Sequence, residues 1–350
     1  MRILAVSNAF PSASAEAGGI FAWREIAGLR ALGIEVEPLH SGFRRRFRSS
    51  WREFHQQLRR LQPDLVHVYA GSIGALAVAA ACPCPLVLTF GGPDLLGPAR
   101  RDPWSERAVG HLAVACSQLA APNADAIVLR SEPLRPLLLR PADRARAHVI
   151  PAGVDLALFR PLDRAQARRE VGWSGNEPVV LFGGSRWRAI KRFDRAVAAV
   201  ERLRRQGVPA RLESCEAIEP DRMPLFLTAA DCLLLTSQHE GSPNIVKEAA
   251  ACGCPIVTVP VGDVAEILDG VAPGAIVPAD PDALAAALAK TLQEGRRSNG
   301  PERIRARYAL DATARRVARV YGEAMASWRA GRRRGWRRLR RALPGKAHAG

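Results

Sequence analysis

The sequence predicts an α/β protein built from two doubly wound domains, each a parallel sheet with helices on both faces. Three observations carry this. Short apolar runs alternate with longer amphipathic ones up to residue 150, pause around Pro151, and then resume. The strand candidates are continuously apolar rather than alternating, as strands are when helices cover both faces of a parallel sheet. Finally, 350 residues with 48% apolar and 24% charged side chains are ordinary globular composition, enough for about two domains.

In the first half the expected strands are 2–7, 34–40, 64–69, 85–90, 125–130 and 147–150. The expected helices are 20–32, 46–61, 73–81, 104–121 and 132–139. Pro151-Ala152-Gly153-Val154-Asp155 and Phe159-Arg160-Pro161 read as a linker. In the second half strands are expected at 178–183, 209–214, 231–236, 255–259 and 275–277, with helices near 192–206, 222–230, 244–252 and 281–294. A last helix, about 311–329, is expected to pack back on the first domain. The division is therefore 1–150, 151–310 and a basic tail from 330 to 350. Two such domains would face each other across a cleft. Ligands in open α/β sheets bind beyond the carboxyl ends of the strands, so the loops of interest are 8–19, 91–98, 184–191 and 237–244.

Charge is unevenly spread. The net charge is +17, and from Arg329 onward eight arginines and Lys346, with no acid, supply +9 of it. Such a block, with Trp328 and Trp336 interleaved, suits an anionic lipid surface or nucleic acid, or is a solvated tail. The basic stretch Arg44 to Arg60 carries Phe47, Trp51, Phe54 and Leu58 at helical spacing and reads as a surface helix with its apolar stripe inward. The chain has only four lysines, at 191, 247, 290 and 346, so a lysine inside a motif stands out. The seven cysteines show no Cys-x-x-Cys or Cys/His zinc spacing and read as small core residues in a reducing compartment. No signal peptide is expected ahead of the first strand, Arg2 to Val6. Ile73 to Phe90 is apolar but interrupted by Pro83 and Pro85, which favours a helix and a strand over a membrane span. The expected location is the cytoplasm, with peripheral contact at the inner face of the plasma membrane.

The most informative segment is Glu240-Gly241-Ser242-Pro243-Asn244-Ile245-Val246-Lys247-Glu248. A flexible loop that opens a helix offers free backbone N–H groups and the positive end of the helix dipole, which together attract an anion. The carboxylates on either side can accept hydrogen bonds from hydroxyls. Donors for phosphate and acceptors for hydroxyls in one place suggest a sugar nucleotide. Arg186 and Lys191 follow another strand and its Gly183-Gly184 turn; their spacing lets two cations converge on a diphosphate leaving group. Both could equally belong to a basic surface loop. Gly18-Gly19 open a helix without a Gly-x-Gly-x-x-Gly fingerprint, which leaves a nicotinamide site unsupported. Asp94, in Phe90-Gly91-Gly92-Pro93-Asp94, is placed either to bind sugar hydroxyls or only to cap its turn. His67, His111 and His239 lack partners at ligand spacing and read as structural. No Ser/His/Asp hydrolase elbow is present.

These residues resemble the retaining, GT-B-fold glycosyltransferases of glycosyltransferase family four. The two glutamates separated by seven residues are Glu240 and Glu248. Ala229-Ala230-Asp231 precedes them, and Glu248-Ala249-Ala250-Ala251-Cys252-Gly253-Cys254-Pro255-Ile256-Val257 is similar to the family's following segment. Gly184 to Lys191 is similar to its Gly-Arg…Lys loop, and Ile150 to Asp155 to its interdomain segment. The fold this implies is two Rossmann-like domains facing across a cleft. The resemblance implies that Glu248 binds ribose hydroxyls and that Glu240 lies by the donor sugar near the anomeric centre. It implies that Arg186 and Lys191 hold the diphosphate, which makes them, with Glu240, the catalytic candidates. Gly184 and the backbone of Gly241, Ser242, Pro243, Asn244, Ile245 and Val246 would meet phosphates and sugar hydroxyls. Gly19 would sit under the donor phosphate or the acceptor, and Gly91 and Asp94 would lie on the acceptor or sugar side. Anomeric configuration would be retained, with no metal and no cofactor beyond a UDP- or GDP-sugar.

Three positions depart from the family pattern. Gly91 stands where a histidine is common, Ala152 where an asparagine is common, and the segment Glu213 to Met223 is short. The expected activity is transfer of a hexose to a hydroxyl of a glycan, lipid-linked saccharide or cell-envelope acceptor, as part of polysaccharide biosynthesis. A GT-B epimerase would need further acid/base residues that the sequence does not offer, and a phosphorylase a cofactor-lysine context that is absent. A non-catalytic membrane or nucleic-acid binder would rest on charge alone, outside the core.

Overall fold

The structure, a computed structural model, describes residues 1–8, 10, 19–43, 46–99 and 101–331. Gly18, Arg44, Arg45 and the basic tail beyond Gly331 lie outside the described residues. The chain falls into two compact units. One holds Met1–Pro98, Trp104–Pro151 and the chain from Thr313; the other holds Ala99–Pro103 and Ala152–Ala312.

The first unit is a six-stranded parallel sheet. Its strands are β1 (Arg2–Ser7), β2 (Glu35–His40), β3 (Leu65–Tyr69), β4 (Leu86–Phe90), β5 (Ala126–Leu129) and β6 (Ala147–Val149), in the order β2-β1-β3-β4-β5-β6. The reversal of order beside β1 makes the sheet doubly wound. Alternate residues of one strand enter opposite cores. Leu4 and Val6 join Val66, Leu88 and Leu129 against the helices Phe47–Leu61 and Ile73–Ala81. Ile3 and Ala5 join Leu65, Val87 and Val128 against the helices Ile20–Ala31 and Leu310–Arg329. The late helix docks through Ala314, Val317, Val320 and Tyr321, all buried. Each of the two valines contributes roughly 1.5–3 kcal/mol by leaving water.

The second unit repeats the design with five parallel strands. These are β7 (Val179–Phe182), β8 (Arg211–Ser214), β9 (Cys232–Leu235), β10 (Ile256–Thr258) and β11 (Gly274–Ile276), in the order β11-β10-β9-β7-β8. Val179 and Leu181 face one core with Val246 and Ala249 of the helix Asn244–Ala251. Val180 and Phe182 face the other with the helices Phe193–Arg205 and Pro281–Glu294. Small residues at 249–251 bring the Asn244–Ala251 helix close to the sheet.

The strand and long-helix expectations agree with the structure to within two residues at each end. The helix expected at 132–139 is instead a 3-10 helix, Glu132–Leu137, because Pro133 and Pro136 withhold the backbone donors that an α-helix needs. The two longest helices that were not expected are Arg164–Glu170 and Gly300–Tyr308. Arg164–Glu170 is capped by Asp163, whose side chain accepts from the Gln166 amide. Gly300–Tyr308 carries Pro at its first turn and buries only Gly300, Ile304 and Tyr308 on a basic helix. Five of the seven cysteines are buried and all are free. In the helix Phe47–Leu61, Phe54 and Leu58 turn inward, but Phe47 is 48% exposed. Among the described residues no helix is long and apolar enough to cross a membrane.

Candidate functional site

β7 and β9 are neighbours in the second unit, so the loops after them emerge side by side. The backbone ties them together. Thr236 Oγ1 donates to the carbonyls of Lys191 (3.1 Å) and Arg192 (2.9 Å), and the Gln238 amide donates to the Ile190 carbonyl at 2.8 Å. Between the loops Lys191 Nζ donates to Glu240 Oε1 at 2.6 Å, and Ser237 Oγ donates to the same oxygen at 2.6 Å. Both charged side chains are about one-sixth exposed, so the pair is shielded yet reachable. Glu240 Oε2 and two of the three Lys191 donors take no described partner. A Cβ on Gly184 would press on the Lys191 side chain at 3.0 Å, so a glycine there gives the lysine its path.

After Glu240 the chain turns through Gly241, Ser242 and Pro243 into the helix Asn244–Ala251. No side chain caps that helix start. Its first amides, around Asn244 and Ile245, have no carbonyl one turn back to bond, which is the anion-attracting arrangement of a helix N-terminus. Val246 is buried against the sheet, and its amide turns back to the Pro243 carbonyl. Glu248, one turn in, is 6% exposed. It lies close to the loop after β8, because its charge adds to burial in pushing the Cys215 thiol up.

Arg186 does not join Lys191 on a shared partner. Its Nε donates to Glu216 Oε2 at 2.7 Å, and Ser185 Oγ donates to Glu216 Oε1 at 2.9 Å. Arg186 is 53% exposed and lies over the ring of Trp187, which is itself largely exposed. Glu216 was not anticipated; the available signal was an acid just past the carboxyl end of β8. His239 stands next to Glu240 in the loop after β9. It is half-buried, burial lowers its pKa, and the charge of the adjacent Glu240 opposes that shift. Only residues 215–222 separate β8 from the next helix, Met223–Ala229, so the wall on this side is short.

The candidates of the first unit stand differently. Asp94 is 7% exposed and both its oxygens are occupied. It accepts from the amides of Gly71 (2.9 Å), Gly92 (2.8 Å) and Gly91 (3.1 Å). Burial raises its pKa, with those three amides pulling the other way. These bonds are those of the cap reading, and they also knot the loop after β4 to the loop after β3. Gly91 is exposed, and a Cβ on it would meet open space. Gly19 is buried at the start of the helix Ile20–Ala31. His67 is structural: Nδ1 bonds the Tyr321 hydroxyl and Nε2 the Thr89 hydroxyl, each at 2.7 Å, and burial lowers its pKa well below the usual value.

Residues 6–158 match the family described as Glycosyltransferase Family 4, and residues 179–294 the family described as Glycosyl transferases group 1. Together the two matches, one in each half of the chain, support a glycosyltransferase similar to family four. The D-inositol 3-phosphate glycosyltransferase of Acidothermus cellulolyticus is 30% identical over 226 residues, covering 54% of this chain and 50% of that protein. The enzyme of the same description from Nocardia farcinica is 31% identical over 168 residues, covering 39% and 37%. The chain thus spans about half, or less, of the length of these curated relatives. Among solved structures, sucrose-phosphate synthase from Thermosynechococcus elongatus superposes with a TM-score of 0.76 at 19% identity, covering 93% of this chain and all of that one. HepE from Anabaena, in complex with UDP-glucose, gives 0.66 at 17% identity, covering 92% and 99%. These neighbours make the fold of this chain GT-B.

Proposed function

We propose that the protein is a retaining glycosyltransferase that moves a hexose from a UDP- or GDP-sugar to a hydroxyl of a glycan, lipid-linked saccharide or other cell-envelope acceptor. The observation that carries this reading is the shielded Lys191–Glu240 pair between the loops after β7 and β9, one turn from an uncapped helix start and buried Glu248. The relatives named as glycosyltransferases, and the HepE complex with UDP-glucose, support the donor class.

In this reading the bond from the anomeric carbon to the diphosphate oxygen breaks, and a bond from that carbon to the acceptor oxygen forms on the same face. The acceptor proton passes to the departing phosphate oxygen. Negative charge grows on the diphosphate, and donors already aimed there stabilise it more than water would. Lys191, Arg186 and the helix-start amides supply those donors. Glu240 Oε2 is placed to accept from a sugar hydroxyl, and Glu248 from the ribose. Because Lys191 holds Glu240 before donor arrives, the carboxylate needs no reorganisation. Transfer of labelled hexose from UDP-glucose or GDP-mannose to an envelope extract tests the activity. Transfer from one donor and loss of it in Glu240→Ala is expected; equal transfer by both proteins would overturn the reading.

Peripheral membrane contact is part of the same proposal. The helix Phe47–Leu61 carries Arg48, Arg52, Arg59 and Arg60, and the basic residues beyond Arg329 add to them. Deleting 329–350 should move the protein from the membrane pellet to the supernatant at low salt. Unchanged sedimentation would remove this part.

A further inference from the structure

Lys247 is the one buried lysine among the described residues, at 0% exposure, and nothing in the reaction above uses it. It sits between the Glu240 loop and Glu248 on the helix Asn244–Ala251. Its Nζ donates to Ser242 Oγ at 3.1 Å and to the Ala152 carbonyl at 3.1 Å, and it lies 5.8 Å from the centre of the Tyr308 ring. Ser242 in turn donates to Asp263 Oδ2 at 2.9 Å. Asp263 is 4% exposed and follows β10. Beside it, Gly262 has a φ of +55°, and a Cβ there would come within 2.8 Å of the Gly241 carbonyl oxygen. The turn after β10 thus seats directly under Gly241.

A buried ammonium and a buried carboxylate cost several kcal/mol each to desolvate and persist only when paired and hydrogen-bonded. Replacing both by apolar side chains of similar size is often neutral for stability, so such a pair adds fixed geometry more than it adds stability. Here the two charges meet on one hydroxyl, and that hydroxyl belongs to the loop between Glu240 and the helix start. Lys247 also reaches the backbone at Ala152. The family's common asparagine is missing there, but the bond uses the carbonyl, which any residue supplies.

We propose that Lys247, Ser242 and Asp263 form a buried positioning relay that fixes the Glu240–Asn244 loop in its nucleotide-receiving shape, with Ala152 as its anchor. This rests on the glycosyltransferase reading. None of the three need touch the reacting atoms through its side chain. The relay sets where the Gly241–Asn244 backbone and Glu240 stand.

The test is equilibrium titration of the full chain with UDP, GDP and ADP, well below the melting temperature, alongside thermal unfolding. Wild type should bind one of the three. Lys247→Met and Asp263→Leu should each lower the Tm and weaken that nucleotide at least tenfold. The double variant Lys247→Met/Asp263→Leu should recover most of the Tm while binding stays weak, a split that a merely structural role would not give. Should the large substitutions fail to fold, Asp263→Asn, which keeps an acceptor for Ser242, should bind within threefold of wild type, and Ser242→Ala should bind several-fold more weakly. Variants that bind like wild type, or a double variant that regains affinity together with Tm, would overturn the relay alone. Binding of none of the three nucleotides by wild type would overturn the donor reading and the relay with it.

Discussion

Asp94 and Glu240 occupy comparable places in the two units. Each acid follows a parallel strand through Gly- and Pro-containing chain, Asp94 in the short helix Pro93–Leu96 after β4 and Glu240 in the loop after β9. In sequence both look like acids waiting for a hydroxyl. In the structure they part. Asp94 spends both oxygens on the amides of Gly71, Gly91 and Gly92, and 7% of it is exposed. Glu240 meets a lysine and a serine through one oxygen and is 16% exposed. The lesson is one of lone pairs. A carboxylate filled by backbone donors holds a fold together; one that faces a lysine and keeps an oxygen in reserve can serve a ligand.

The comparison breaks most directly at Glu240. Glu240→Ala should lower kcat/KM for transfer by about 10²–10³-fold, the cost of removing one preorganised electrostatic partner. Its Tm should move little, because a partly exposed pair adds little stability. Asp94→Ala should do the reverse. Three amides lose their acceptor, and an unsatisfied buried donor costs about 1–3 kcal/mol. Allowing for water at the partly exposed Gly91, a loss of about 2–4 kcal/mol in urea unfolding is expected, with nucleotide binding unchanged below the Tm.

The fold was largely legible because both sheets are parallel and their central strands are covered on both faces, so those strands read as nearly unbroken apolar runs. Val179–Phe182 and Cys232–Leu235 are examples, each buried throughout. Where local chemistry conflicted with periodicity, legibility failed. Glu132–Leu137 has a helical pattern but two prolines, and Gly300–Tyr308 buries too few side chains to show a stripe. In the candidate site, Glu240, Glu248 and Lys191 stood out by their spacing around strand ends. Glu216 and Asp263 did not, because their partners lie 30 and 21 residues away, and Lys247, though inside the motif, takes its role from the Ala152 carbonyl 95 residues away. No short window contains both ends of such a contact.

A smaller effect should appear at His67. Burial lowers its folded pKa, so the folded state binds its proton less well than the unfolded chain does. The resulting stability is complete above the unfolded pKa of about 6.5 and is lost as pH falls from there toward the folded value. Thermal unfolding between pH 7 and 5 should show a decline that is shallower in His67→Gln. The smallest effect on stability belongs to Gly91→His. Its Cβ enters open space, so the Tm should stay within about 0.5 kcal/mol equivalent of wild type, as for other unconstrained surface changes. If the missing histidine limits transfer, kcat should rise in this variant while the nucleotide affinity stays fixed.

The central claim is that the loops after β7 and β9 form a nucleotide-sugar site. Thermal shift of the wild-type protein and of Glu248→Gln against UDP-, GDP- and ADP-sugars tests it most directly. A ligand at 100 times its Kd stabilises the native state by about 2.7 kcal/mol. One base class should raise the wild-type Tm by several degrees, and the rise should shrink in Glu248→Gln. A wild-type Tm unmoved by every sugar nucleotide, or a shift that Glu248→Gln retains in full, would contradict the account.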